Sequence, residues 1–210
     1  MNNRNPESAQ KAVAALKAPG KPFPTSYSTN CGTPLDLSET VIEAARVVLR
    51  PLRPEDAPDI FREFTREVTR YLLHQPTGRI EDTLGFINRS QEGRAAGRDL
   101  GCLIADKSTG EFLGCCGIHS QARTVEPHIG IWIKKSAHGK GYGREAIEAV
   151  VQWTFQNTAV SAIRYDFDRA NHSSQKLVES LGGICVGEER TPQTDGGMLD
   201  TLIYIIRKPS

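Results

Sequence analysis

Apolar and polar positions along the chain fall into blocks of two periods, and the order of those blocks predicts the architecture. Residues 47–49, Val-Val-Leu, begin a strand-like run. Pro51, Pro54 and Pro58 punctuate the segment after it, and Ile60, Phe61, Phe64, Val68 and Tyr71 then recur at helical spacing, predicting one amphipathic helix. Ile80, Leu84 and Ile87 mark a second helix, which the run EGRAAGR terminates. The period then changes. DLGCLIAD and EFLGCCGIHS, joined by KSTG, read as two strands, and HIGIWI from His128 supplies another after a loop.

Beyond a cluster of glycines, Ala146, Ile147, Val150, Val151 and Thr154 describe one face of a helix, and the alternating run AIRYDFD succeeds it as a strand. Strand, helix and strand here predict a βαβ-like unit. A short helix over about 173–181 ends at Gly182 and Gly183, and ICVGEE and LDTLIYIIRK read as a closing pair of strands. The order predicts an α+β class, with helices interrupting a mostly antiparallel sheet. Residues 1–38, rich in Asn, Pro, Gly, Ser and Thr with only a short helical pattern around 9–16, read as a flexible N-terminal extension, leaving residues 39–210 as the folded domain.

Composition narrows the function. The 26 Lys+Arg against 25 Asp+Glu give a formal net charge of +1, which provides no broad basic field for nucleic acid or an anionic membrane. No apolar run approaches the ~20 residues of a membrane span, and the stretch AVAAL at 12–16 is too short for a signal-peptide core. The five cysteines, Cys31, Cys102, Cys115, Cys116 and Cys185, are scattered without a C-x-x-C pair, which points to reduced thiols in a cytoplasmic protein. Of the adjacent Cys115 and Cys116, one is expected in the core. His74, His119 and His172 lack ligand spacing, so no metal is expected.

The candidate chemistry centres on HGKGYG, residues 138–143. Glycine costs backbone entropy, so Gly139, Gly141 and Gly143 at alternate positions imply a sharp turn or amides brought close to an anion, and the helix after them offers unpaired N–H groups and a positive dipole end. Two phosphate ligands compete for these residues. Gly141, Gly143 and Ala146 fit G-x-G-x-x-A, with Asp166 or Asp168 roughly 20 residues later, as a dinucleotide-binding oxidoreductase requires. Position counts against it, because several strands precede the glycines and too little chain remains for a second parallel half.

The other ligand is an acyl-coenzyme A. HGKGYG resembles the pyrophosphate loop of the GNAT family of N-acetyltransferases, with motif Q/R-x-x-G-x-G/A; the glycines fit at Gly141 and Gly143, while His138 takes the place usually held by Gln or Arg. The resemblance runs from about 47 to 207 through VVLRPLRPEDA, GIWI, HGKGYGREAI, NHSSQKLVESLGG and DTLIYIIRK in the expected order, and is nearest the branch containing the ribosomal-protein N-terminal acetyltransferases. It implies a mixed, mostly antiparallel sheet splayed between its fourth and fifth strands and flanked by helices. Acetyl-coenzyme A would be the co-substrate in the opening.

The resemblance also implies site roles. Backbone groups around Ile131 and Ile133 would meet the pantetheine arm, and amides of His138, Gly139, Lys140, Gly141, Tyr142, Gly143 and Arg144 would hold the pyrophosphate, with Lys134, Lys135, Lys140 and Arg144 adding charge. Asn171 and Ser174 match N-x-x-S, in which Asn supports the cofactor and Ser donates to the departing thiolate; Val178 stands where other branches carry Tyr. Asn171 or Ser173 could equally serve as a helix cap. His128 holds a strand position where relatives carry Glu, making it a candidate general base alongside Glu126, Glu188, Glu189 and Asp195. The acceptor would be an amine, either a protein N-terminus or a small molecule, and an α-amine near pKa ~8 needs less help than a lysine near ~10.4. The chain would act as a monomer or homodimer. A non-catalytic acyl-coenzyme A-binding module is the alternative on the same fold.

Overall fold

The computed structural model describes Tyr27, residues 35–120 and residues 126–209. Cys31, the helical pattern at 9–16 and most of the extension expected over 1–38 lie outside the described residues. Strands β1 (Ile42–Glu43) and β2 (Val47–Pro51) lead into helices α1 (Ala57–Glu63), α2 (Arg66–Thr69) and α3 (Ile80–Ala95). A meander comes next: β3 (Cys102–Asp106), β4 (Phe112–His119) and β5 (His128–Ile133). Helix α4 (Tyr142–Asn157), β6 (Ala162–Asp168), α5 (His172–Ser180), β7 (Ile184–Pro192) and β8 (Met198–Arg207) complete the order.

The eight strands form one sheet in the order β1-β2-β3-β4-β5-β6-β8-β7. Every neighbouring pair is antiparallel except β5 and β6. A single parallel pair is not the repeated parallel unit of a dinucleotide-binding fold, so the rival glycine fingerprint lacks its structural setting. The parallel contact is also short. Only His128 with Arg164 and Ile129 with Tyr165 are paired, after which residues 130–133 of β5 part from β6. All seven residues of β6 stay in register with β8, so β6, β8 and β7 diverge from β5 as a unit. Because the two-residue β1 precedes the first strand read from the sequence, the expected splay between fourth and fifth strands is the opening between β5 and β6.

Strand alternation gives the sheet two apolar faces. On one, Ile129, Ile163, Tyr165 and Phe167 pack with Ala146, Ile147, Val150, Val151 and Phe155 of α4 and Val178 of α5. On the other, Leu103, Ala105, Phe112 and Cys115 pack with Ala57 and Ile60 of α1 and Ile87 of α3. Adjacent Cys115 and Cys116 therefore point to opposite faces and both are buried, not just one of them. Burial pushes both thiols well above the ordinary cysteine range, so they are inert.

The single helix expected over 60–71 is two. Phe64 leaves helical geometry at φ −81°, ψ 68°, which sets its ring 5.2 Å edge-on from Trp132 of β5. Thr65 then caps α2 by accepting the Val68 N–H at 3.4 Å. Before α1, the Asp56 carboxylate receives Arg50 at 2.6 and 2.8 Å and the Arg53 N–H at 2.8 Å, turning the chain out of β2. The core also extends N-terminally: Tyr27 and Leu37 are buried in it, and the buried Arg94 of α3 holds the Thr40 carbonyl at 2.6 Å and that of Gly101 at 2.9 Å.

Candidate active site

Each glycine of the loop between β5 and α4 answers to a local constraint. Gly139 and Gly141 adopt φ of 73° and 83°, a left-handed conformation costing about 1 kcal/mol or more for a residue with a Cβ. Gly143 belongs to α4 and has no such requirement. A Cβ there would lie 3.3 Å from Ile133 Cγ1 and 3.5 Å from Ile131 Cδ1. Two glycines thus make the turn, whereas the missing side chain of the third lets the first turn of α4 press onto β5.

The helix that results begins without a side-chain cap, because its N-cap residue is Gly141. Its first-turn N–H groups and dipole are left for an anion, and the loop glycines put no side chain in the way. His138 is exposed, and its Nε2–H donates to the Ile133 carbonyl at 2.7 Å, fastening the end of β5 to the loop. Tyr142 donates its hydroxyl to Asp106 at 3.2 Å. Arg144 is exposed and pairs with Glu148 at 2.6 Å, and Lys140 is exposed. What this stretch can give a phosphate is therefore mainly backbone donors, with two cations at its margin. That donor set suits the pyrophosphate of a coenzyme A.

Among the other lysines, Lys134 is buried against Glu111, and Lys135 pairs with Glu67 at 2.6 Å. Arg46 is a residue the sequence reading missed. Its guanidinium sits 4.9 Å over the Tyr142 ring, donates to the Lys140 carbonyl at 3.1 Å and to Glu145 at 2.8 Å, and so braces the loop from the turn between β1 and β2. No local pattern signals this, because the contact joins segments far apart in sequence.

At the vertex of the splay, titratable groups lie on both faces of the sheet. His128 and Arg164, partners across the last parallel rungs, share the face of Trp132. The His128 Nδ1 lies 3.3 Å from Asp166 Oδ2, and Arg164 Nε donates to both oxygens of Asp166 at 2.8 Å. An Nδ1–H facing that carboxylate leaves the lone pair on Nε2, which is buried and has no hydrogen-bond partner among the described residues. Burial, reinforced by the charge of Arg164, pushes the His128 pKa down to about 4, so the ring is neutral near neutral pH.

On the opposite face, Tyr165 donates its hydroxyl to Ser174 Oγ at 3.1 Å. Asn171 is the N-cap of α5, its side-chain oxygen accepting the Ser174 N–H at 3.2 Å. Val178 is fully buried beneath the helix. The remaining acidic candidates are engaged: Glu188 with Arg169, Glu189 with Arg164 at 3.2 Å and Asp195 with Arg66 at 3.1 Å. Glu126 is half-buried, two residues before His128. The fold thus brings Ile131, Ile133 and 138–144 together along the splay, and sets His128 and Ser174 on opposite faces at its vertex. Among the described residues, no three His, Cys, Asp or Glu side chains are grouped to hold a metal.

Known proteins agree with this geometry. The acetyltransferase (GNAT) domain family matches residues 46–184. An uncharacterized N-acetyltransferase of Bacillus subtilis, YoaA, is 28% identical over 172 residues, covering 80% of this chain and 97% of its own. A second, p20 of Bacillus licheniformis, is 25% identical, covering 78% and 93%. Among solved structures, Mycobacterium smegmatis RimJ in complex with CoA-disulfide superposes with a TM-score of 0.69 at 20% identity, covering 80% of this chain and 87% of that one. A putative ribosomal-protein-serine acetyltransferase from Vibrio cholerae gives 0.68 at 16%, covering 81% and 99%. With the family matched across most of the chain and its splayed sheet present, this protein belongs to the GNAT family and is an acyl-coenzyme A-dependent N-acetyltransferase.

Proposed function

We propose that the enzyme moves the acetyl group of acetyl-coenzyme A directly onto a neutral α-amine at the N-terminus of a peptide or protein. The observation that carries this reading is the neutral His128 at the vertex, with Nδ1 beside Asp166 and Nε2 unpartnered among the described residues. A base with a pKa of about 4 is too weak to strip a free ammonium, so the acceptor must arrive uncharged, which α-amines near pKa ~8 do far more readily than lysines near ~10.4. The name of one solved neighbour, a putative ribosomal-protein-serine acetyltransferase, supports a protein as acceptor.

In this reading the amides of 139–144 hold the pyrophosphate, with His138 fixing the loop and Lys140, Tyr142 and Arg144 contributing at its edge. Ile131 and Ile133 supply the strand beside the pantetheine arm. Attack forms the N–C bond and leaves a cationic nitrogen on the tetrahedral adduct, far more acidic than a free ammonium; His128 Nε2 takes that proton and releases it to solvent before the next turnover. As the C–S bond breaks, Ser174 O–H donates to the thiolate and is reprotonated by solvent, while Asn171 holds the first turn of α5 in place.

Release of free thiol from acetyl-coenzyme A tests the proposal, with Ser-Ala-Ala-Ala, Ala-Ala-Ala-Ala, Nα-acetyl-lysine amide, spermidine and kanamycin as amines. The peptides should be acetylated at least about tenfold faster, in kcat/KM, than the lysine side chain. A lysine, polyamine or aminoglycoside that outpaced both peptides would refute the acceptor class.

A further inference from the structure

Resting on the role proposed for Ser174, we infer that Tyr165 is a positioning residue for the acid step, its hydroxyl fixing Ser174 so that the serine's own proton points away from the core toward the departing sulfur. Tyr165 faces the α4 and α5 side of the sheet at the last rung where β5 and β6 are paired, opposite Ile129 and two residues from Ile131 along that face. Its ring is 3% exposed and wedged 5.5 Å from Phe167. Ser174 Oγ, 3.1 Å away, accepts its hydrogen.

The direction of that bond matters. A serine hydroxyl rotates, and one O–H can serve one strong acceptor at a time. Were Ser174 to donate inward, it would have nothing left for the thiolate. The phenol is the more acidic hydroxyl of the pair and, buried as it is, meets its acceptor in Ser174 Oγ, so it donates; this fills a lone pair of Oγ and leaves the Ser174 hydrogen for an outside acceptor. Burial pushes the Tyr165 pKa up to about 12, so this donor stays protonated throughout the working range. The main chain is held independently, since the Ser174 N–H is bound by Asn171. The main chain of the serine is thereby held by the cap and its hydroxyl by the phenol. AIRYDFD carries Tyr165 on the alternate face from Asp166, so adjacent residues of one strand orient the donor and the acceptor of protons on opposite sides of the splay.

Turnover of acetyl-coenzyme A with Ser-Ala-Ala-Ala, measured for the wild type, Tyr165→Phe, Ser174→Ala and the double variant, tests the relay. Tyr165→Phe keeps the ring packing and should lower kcat about tenfold with the KM for acetyl-coenzyme A within about twofold, because only a transition-state contact is lost. In the Ser174→Ala background it should have no further effect. An unchanged kcat for Tyr165→Phe beside an impaired Ser174→Ala overturns the relay alone, as does an equal loss in both backgrounds. A fully active Ser174→Ala overturns the reading of Ser174 and the relay with it. Should Tyr165→Phe fail to accumulate as folded protein, 3-fluorotyrosine at position 165 replaces it: a more acidic phenol should raise kcat, and an unchanged kcat overturns the relay.

Discussion

At the scale of single residues, burial sets the chemistry of the vertex. His128 refuses a proton in the folded state until about pH 4, whereas its ordinary value is 6.5. Above 6.5 neither state is charged and the folded form has its full stability. As pH falls below that value the unfolded chain takes up a proton that the folded chain does not, so stability declines until about 4 and then levels. Urea midpoints measured across this window should fall less steeply for His128→Gln than for the wild type; parallel slopes would show that His128 is not buried as a neutral ring. Ser174→Ala, in turn, should lower kcat roughly 10²-fold while calorimetric affinity for acetyl-coenzyme A holds. The sequence singled out Asn171 and Ser174 through their N-x-x-S spacing and His128 through its place on a strand. Asp166 and Tyr165 stood in plain alternation, but nothing in a strand pattern says which polar atom will meet which across a rung, and the contacts of these two emerged only from the fold.

Among elements, the turn into α4 shows how three glycines of one motif can answer to two different constraints. Gly139 and Gly141 sit at positive φ, and Gly143 faces Ile131 and Ile133. Gly143→Val should therefore lower stability by about 1–3 kcal/mol by wedging α4 off β5, and it should weaken acetyl-coenzyme A binding through the displaced amides. Thermal melts beside calorimetric titrations would check both; a variant that melts and binds like the wild type would contradict the packing role. The periods of 2 and 3.6 revealed the helices and the strands with one buried side, while β3 and β4, buried on both faces, were legible as continuous apolar runs. They failed where a distant residue decided the outcome. Phe64 breaks a helix in order to reach Trp132, and Ile80 and Leu84, expected on an apolar helix face, are each 37% exposed while Ile87 is buried.

Across the whole molecule, the sheet is two antiparallel parts joined at two parallel rungs. The tip of the β7–β8 hairpin ties them again, the Thr194 N–H donating to the Leu73 carbonyl at 3.0 Å and Gln193 Nε2 to that of Leu72 at 2.8 Å. With the acceptor proposed to enter on the side of α2, where this tie lies, Gln193→Ala loosens it by removing the bond to Leu72 and a longer one to Arg70 at 3.4 Å. The variant should raise the KM for Ser-Ala-Ala-Ala severalfold, at roughly 0.5–1.5 kcal/mol per hydrogen bond, and leave that for acetyl-coenzyme A unchanged. Equal rises in both would refute the separation of the two substrates' surfaces. The strand order and the splay were legible only through the ordered set of motifs, since periodicity names elements without saying which edges meet. Every step proposed for the chemistry depends on acetyl-coenzyme A lying in the splay with its phosphates on the turn into α4, and calorimetric titration of the wild type beside Gly141→Glu decides the point. The wild type should show one saturable site, lost in a variant that still melts cooperatively; undiminished binding to folded Gly141→Glu would contradict it.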